Sequence, residues 1–105
     1  MASYTVTTGS QFGAWEKSLS ANAVDTVTLA GVGRVEVTVV NVSGAASIYF
    51  TVNGPTPVVG ASESYWLPAT AGAMRTVSAY AAGTSSNVVV RLVSSGAPTY
   101  SVDAS

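Results

Sequence analysis

The chain has no cysteine and no histidine, and its 105 residues include only four basic and five acidic side chains. Without cysteine there is no disulfide framework and no thiol nucleophile. Without histidine, serine lacks the usual base that would activate it, and zinc loses its commonest remaining ligand. The acids Glu16, Asp25, Glu36, Glu63 and Asp103 are spread singly along the chain. They supply neither the carboxylate pair of a glycosidase nor the acid-rich loop of a calcium site. Lys17, Arg34, Arg75 and Arg91 are equally scattered, whereas nucleic-acid binding calls for clustered cations. No apolar run approaches the ~20 residues of a membrane span. The first thirty residues contain no apolar segment of the kind a secretory signal carries. The expectation is a non-enzymatic protein with no metal or cofactor, no nucleic-acid partner and no membrane partner, made in a cytoplasm.

Charged residues make up 9% of the chain, against about a quarter in ordinary soluble domains. Hydrophobic residues make up 48%, and the net charge is −1. Such a chain should fold, and its length suits one domain. Its apolar content is mainly valine and alanine, which bury little area each. A core of this kind predicts modest stability, reinforced by contact with copies of itself or with another protein.

Valine and threonine are β-branched and favour strands. Short apolar runs alternate with Gly, Asn, Ser and Pro about every ten residues, the rhythm of an all-β sandwich or barrel. Strands are expected at 4–8, 15–19, 24–29, 35–42, 48–52, 64–67, 74–80, 88–93 and 99–102. The first is polar enough to serve as an arm or an edge strand. The fold expected is therefore an antiparallel two-sheet sandwich of about eight strands, jelly-roll-like, over residues 15–105, with an extended N-terminal arm over 1–14. A hairpin is expected between 35–42 and 48–52, with turns at Ser43-Gly-Ala45 and Gly31-Val-Gly33 and a loop over 83–87. Asn53-Gly54 followed by Pro55 and Pro57 marks a surface loop, both turn residues tolerating positive φ. The adjacent Val39-Val40 breaks strict alternation and predicts a bulge or a strand buried on both faces.

The aromatic residues Tyr4, Trp15, Tyr49, Trp66, Tyr80 and Tyr100 lie on or beside different strands. Tyr49 is out of phase with Ile48 and Phe50, and Trp66 with Tyr65 and Leu67, so one member of each set points away from the core. These six are the candidate interface residues, since exposed aromatics anchor protein contacts or stack on sugar rings. Glu36 alternates with Val35 and Val37 and should face solvent or a nearby arginine.

The stretch Asp25 to Gly54 (DTVTLAGVGRVEVTVVNVSGAASIYFTVNG), with Ser64-Tyr-Trp-Leu-Pro-Ala69 and Asn87-Val-Val-Val-Arg-Leu-Val-Ser-Ser-Gly96, resembles small β-sandwich virion proteins of tailed bacteriophages. Those proteins decorate or cement the capsid exterior, or occur among minor tail components. The Ala, Val, Gly, Ser and Thr richness is similar to that of phages infecting high-GC actinobacteria. The resemblance implies a virion protein that binds the major capsid protein after shell assembly, as a homo-oligomer and commonly a trimer. It implies attachment through a terminal arm and assigns no individual site residue. Two other functions fit the residues: a carbohydrate- or receptor-binding module using Trp15, Trp66 or Tyr80 as ring platforms, and a head–tail joining or tail subunit.

Overall fold

Where β-branched residues alternate, every second side chain points the same way, and two such faces bury each other as a sandwich. The computed structural model describes residues 2–7, 12–30, 34–61, 63–81 and 87–104. Among these it contains β1 (Ser3–Thr7), β2 (Phe12–Ser18), β3 (Asp25–Ala30), β4 (Arg34–Asn41), β5 (Ile48–Val52), β6 (Tyr65–Leu67), β7 (Ala73–Tyr80), β8 (Val88–Val93) and β9 (Thr99–Ala104). Sheet A runs β1-β3-β8-β5-β6 and sheet B runs β2-β9-β4-β7. The all-β two-sheet expectation holds, with nine strands instead of eight. The ninth is the segment expected as an arm: β1 docks as an edge strand, parallel to β3, from Ser3 opposite Thr26 to Thr7 opposite Ala30. Residues 8–11 of that arm, the turn at 31–33 and most of the loop at 83–87 lie outside the described residues.

The antiparallel partners follow one rule. β5 pairs with β6, β4 with β7, β3 with β8 and β2 with β9. The chain from β2 onward is thus one long antiparallel ribbon, turned at residues 53–64 and rolled over itself so that alternate pairs fall in opposite sheets. Rolling adds the contacts β4–β9 and β5–β8. The expected hairpin between β4 and β5 is therefore absent, because these strands belong to different sheets. Buried Asn41 holds their crossing: its Nδ2 donates to the carbonyls of Ala46 and Pro68, both at 2.9 Å, and its Oδ1 accepts from the Gly44 N–H at 3.0 Å. Gly44 has φ +68°, and a Cβ there would stand 2.3 Å from the Ala71 nitrogen. Only glycine fits that close approach.

β4 alternates without interruption, Val35, Val37 and Val39 inward and Val40 outward. The expected anomaly at Val39-Val40 does not occur. The irregularity lies instead in β2, where Trp15 and Glu16 together oppose the single residue Ser101. Glu16 takes φ +53° at this bulge, and its N–H donates to the Ser101 Oγ at 3.0 Å. Of the expected turn pair Asn53-Gly54, only Asn53 has positive φ (+51°).

The core is made of valines around a few larger groups, chiefly Phe50, Tyr100, Ile48 and four leucines. Each fully buried aliphatic side chain contributes about 1.5–3 kcal/mol. Phe50 stacks at a tilt on Tyr65, with ring centroids 5.2 Å apart. The buried polar groups are partnered: the Thr51 hydroxyl donates to the Pro55 carbonyl, and Ser94 to that of Ser47.

Candidate interaction surfaces

The strands carry the six expected aromatics to different places. Tyr100 is the correction: it is fully buried, because β9 is an inner strand of sheet B and Tyr100 points between the sheets. Its hydroxyl donates to Asp25 Oδ2 at 2.9 Å, while Asp25 Oδ1 accepts from the Ala2 N–H at 3.0 Å. Burial foremost, then the Asp25 hydrogen bond and charge, pushes the Tyr100 phenol far above its ordinary range. This cluster ties the beginning of the chain to the core and offers no open reactive group.

Tyr4 points inward from edge strand β1 and is half-buried, packed against the core. Tyr49 lies half-buried on the outer face of sheet A, opposite Trp66 in register. Trp15, Trp66 and Tyr80 are 51%, 52% and 67% exposed. Trp15 stands on the β2 edge of sheet B, Tyr80 on its β7 edge and Trp66 on the β6 edge of sheet A. No single patch gathers them.

A sandwich has two open seams where edge strands of its sheets meet. β1 adjoins β2 at one seam and β6 adjoins β7 at the other. Each seam is closed by a cation over a tyrosine ring. The Lys17 ammonium sits 4.7 Å from the centre of Tyr4, and the Arg75 guanidinium 4.6 Å from that of Tyr65. The bulge at Trp15-Glu16 makes the first contact possible. By adding one residue it brings Lys17 into register with inward-facing Tyr100 and leaves Trp15 exposed. Each seam also opens a groove beside its exposed tryptophan. The β1–β2 groove, about 420 Å³, includes Ser3, Tyr4, Thr5, Trp15 and Lys17. The β6–β7 groove, about 500 Å³, includes Thr51, Pro55, Glu63, Tyr65, Trp66 and Arg75.

The outer face of sheet B holds a second feature. Met74 opposes Val40, Val40 opposes Ser101, and Ser101 opposes the bulge bearing Trp15. This row crosses all four strands. Met74 is 63% exposed, and Val42 just beyond β4 is exposed as well. The upper part of the face is polar: Ser78 donates to Glu36, Thr38 and Thr76 share a hydrogen bond, and Arg34 reaches Glu36 at 3.6 Å. Glu36 thus faces outward as its alternation predicts. Sequence reasoning did not place Met74, Lys17 or Arg75 among the candidate interface residues. The spacing Met74, Thr76, Ser78, Tyr80 against inward Val77 and Ala79 carries the signal for the first.

Among the described residues no three of His, Cys, Asp or Glu stand together as a metal centre requires. No helix among the described residues is long and apolar enough to cross a membrane.

No known protein family and no curated protein matches the chain. Among solved structures, the pre-peptidase C-terminal domain of collagenase from Bacillus anthracis is similar, with a TM-score of 0.56 and 12% identity over 98% of this chain and 94% of that one. The likeness is one of fold: an all-β domain of comparable extent.

Proposed function

We propose that the chain is a non-enzymatic virion protein of a tailed bacteriophage that binds the outer capsid surface and stabilises the shell. The observation that carries this reading is the row across the outer face of sheet B: exposed Met74, half-buried Val40, then Ser101 and exposed Trp15, with exposed Val42 beside it. Exposed apolar groups sharing one sheet face, on a chain so poor in charge, favour lasting contact with protein. The rolled ribbon with strand orders β2-β9-β4-β7 and β3-β8-β5-β6 supports a jelly-roll-like architecture, a plan used in capsid and lectin domains. The partner is the major capsid protein, and the assembled form is a homo-oligomer, a trimer in the first instance. Its role is mechanical: area buried across capsomer boundaries resists the pressure of packaged DNA.

The test adds the purified chain to bare capsids of its phage. It should co-sediment with them and raise their disruption temperature. The double variant Val40→Lys, Met74→Glu should weaken capsid binding by about thirtyfold or more, the scale of a central contact. Its own unfolding midpoint should move little, since Met74 is exposed and Val40 points outward from sheet B, away from the core. A chain that sediments apart from capsids refutes the reading, and rings or tubes of the chain alone would point to a head–tail or tail subunit.

A further inference from the structure

We infer that the groove at the β6–β7 seam is a saccharide-binding site, with Trp66 as the platform and Glu63 and Arg75 as hydroxyl partners. The inference stands apart from capsid attachment, because this groove lies off the outer face of sheet B.

The walls of the groove are preformed. Thr51 Oγ1 donates to the Pro55 carbonyl at 2.8 Å, and Arg91 Nη1 donates to the Gly54 carbonyl at 2.9 Å. Both bonds pin the loop after β5 against sheet A. Opposite, the Arg75 guanidinium is positioned by the Tyr65 ring, which is itself held against Phe50 in the core. Ser64 Oγ donates to the Ala61 carbonyl at 2.8 Å, which leaves its oxygen able to accept. A site built this way binds without first having to order its own parts.

The lining then selects the ligand. At about 500 Å³ the groove is in the range of small-molecule sites. Trp66 is half exposed and offers an indole to the C–H face of a sugar ring. Among the described residues, neither the Arg75 guanidinium nor the Glu63 carboxylate makes a hydrogen bond or an ion pair with a neighbour. Five N–H donors and a carboxylate at one small groove match a ring whose hydroxyls both donate and accept. One cation beside one acid does not favour a polyanion such as a nucleic acid. A peptide adding to the sheet is disfavoured too, because β6 presents only three residues to a ladder. The β1–β2 groove has a tryptophan, a tyrosine and a cation but no acid in its lining, so it is the natural internal control.

The experiment titrates the isotope-labelled full chain with methyl glycosides of glucose, galactose, mannose and N-acetylglucosamine, and with cellobiose and chitobiose, into the tens of millimolar. At least one sugar should bind with a millimolar dissociation constant. Its NMR shifts should be confined to residues 51–55, 63–66 and 75 and the Trp66 indole. Trp66→Ala should weaken that binding about tenfold or more, and Trp15→Ala should leave it unchanged. Glu63→Gln, at an exposed position that the fold does not use, should weaken it about fivefold through loss of a charged acceptor. This second variant carries the test if Trp66→Ala folds poorly. The inference is overturned if none of the six sugars shifts these signals, if the shifts centre on the β1–β2 seam, or if both groove variants bind as the parent does. Trp66→Ala should keep full capsid binding, so the two proposals can fail separately.

Discussion

Replacing Tyr100 with phenylalanine removes a single oxygen from the core and tests how this molecule is held together. The ring stays in place, but Asp25 Oδ2 loses the donor that stands 2.9 Å away. Asp25 is 1% exposed, so water cannot replace the lost partner without opening the seam. A hydrogen bond to a carboxylate contributes about 1.5–3 kcal/mol, and a buried acceptor left bare loses a similar amount. With the Ala2 N–H still on Oδ1, the variant should lose about 2 kcal/mol at neutral pH. That is a large share of the roughly 5–15 kcal/mol available to a domain of this size. It should lower the melting temperature by about 10 °C. Urea unfolding followed by circular dichroism should show a lower midpoint with an unchanged slope, since the same surface is exposed. The pH dependence gives an independent check. The native state favours the neutral phenol and raises its pKa above the ordinary value of about 10. The stabilisation is therefore complete below pH ~10 and fades as the pH rises above it toward the native value. The parent should lose up to about 1.4 kcal/mol per pH unit in that range through Tyr100 alone. Phenylalanine has nothing to titrate, so the gap between the two proteins should close by about pH 11.5. A loss under about 0.5 kcal/mol at neutral pH, or a gap that stays constant above pH ~10, would refute the reasoning.

Other expectations follow from the same geometry. Gly44→Ala should destabilise more than Gly72→Ala: both have positive φ, but the new Cβ meets the Ala71 backbone at 2.3 Å in the first case and open space in the second. We expect about 1 kcal/mol for Gly72→Ala and at least twice that for Gly44→Ala in urea melts. Asn53→Ala removes the bonds from Nδ2 to the Tyr80 carbonyl and from the Val89 N–H to Oδ1. It should cost about 1–3 kcal/mol and speed amide exchange at Val89. Phe50→Ala, at a fully buried position among valines, should cost about 3–5 kcal/mol and leave little folded protein at 37 °C by near-ultraviolet dichroism.

The strands themselves could be read from the chain, because alternation and β-branching act within a few residues. Ile48–Val52 and Val88–Val93 occur at the expected residues, and the other strands differ from expectation by a few residues at their ends. Alternation also told which side of its own strand each residue takes, so Tyr49, Trp66 and Glu36 face outward as expected. It carries no information on whether a strand is central or at an edge, and this is where the reading of Tyr100 failed. Tyr100 and Trp15 looked equivalent, yet β9 has neighbours on both sides while β2 ends its sheet at a bulge. The missing β4–β5 hairpin has the same origin. Local turn residues permit either a hairpin or a crossing between sheets, and the choice went to the crossing that lets β4 meet β7 and β9. The seam grooves arise one step later still, from Arg75 and Tyr65, or Lys17 and Tyr4, being brought together across two sheets. Local residue order thus determined the strands and their faces. Pairing between distant segments decided which faces are buried, because the area that drives burial exists only once those segments have met.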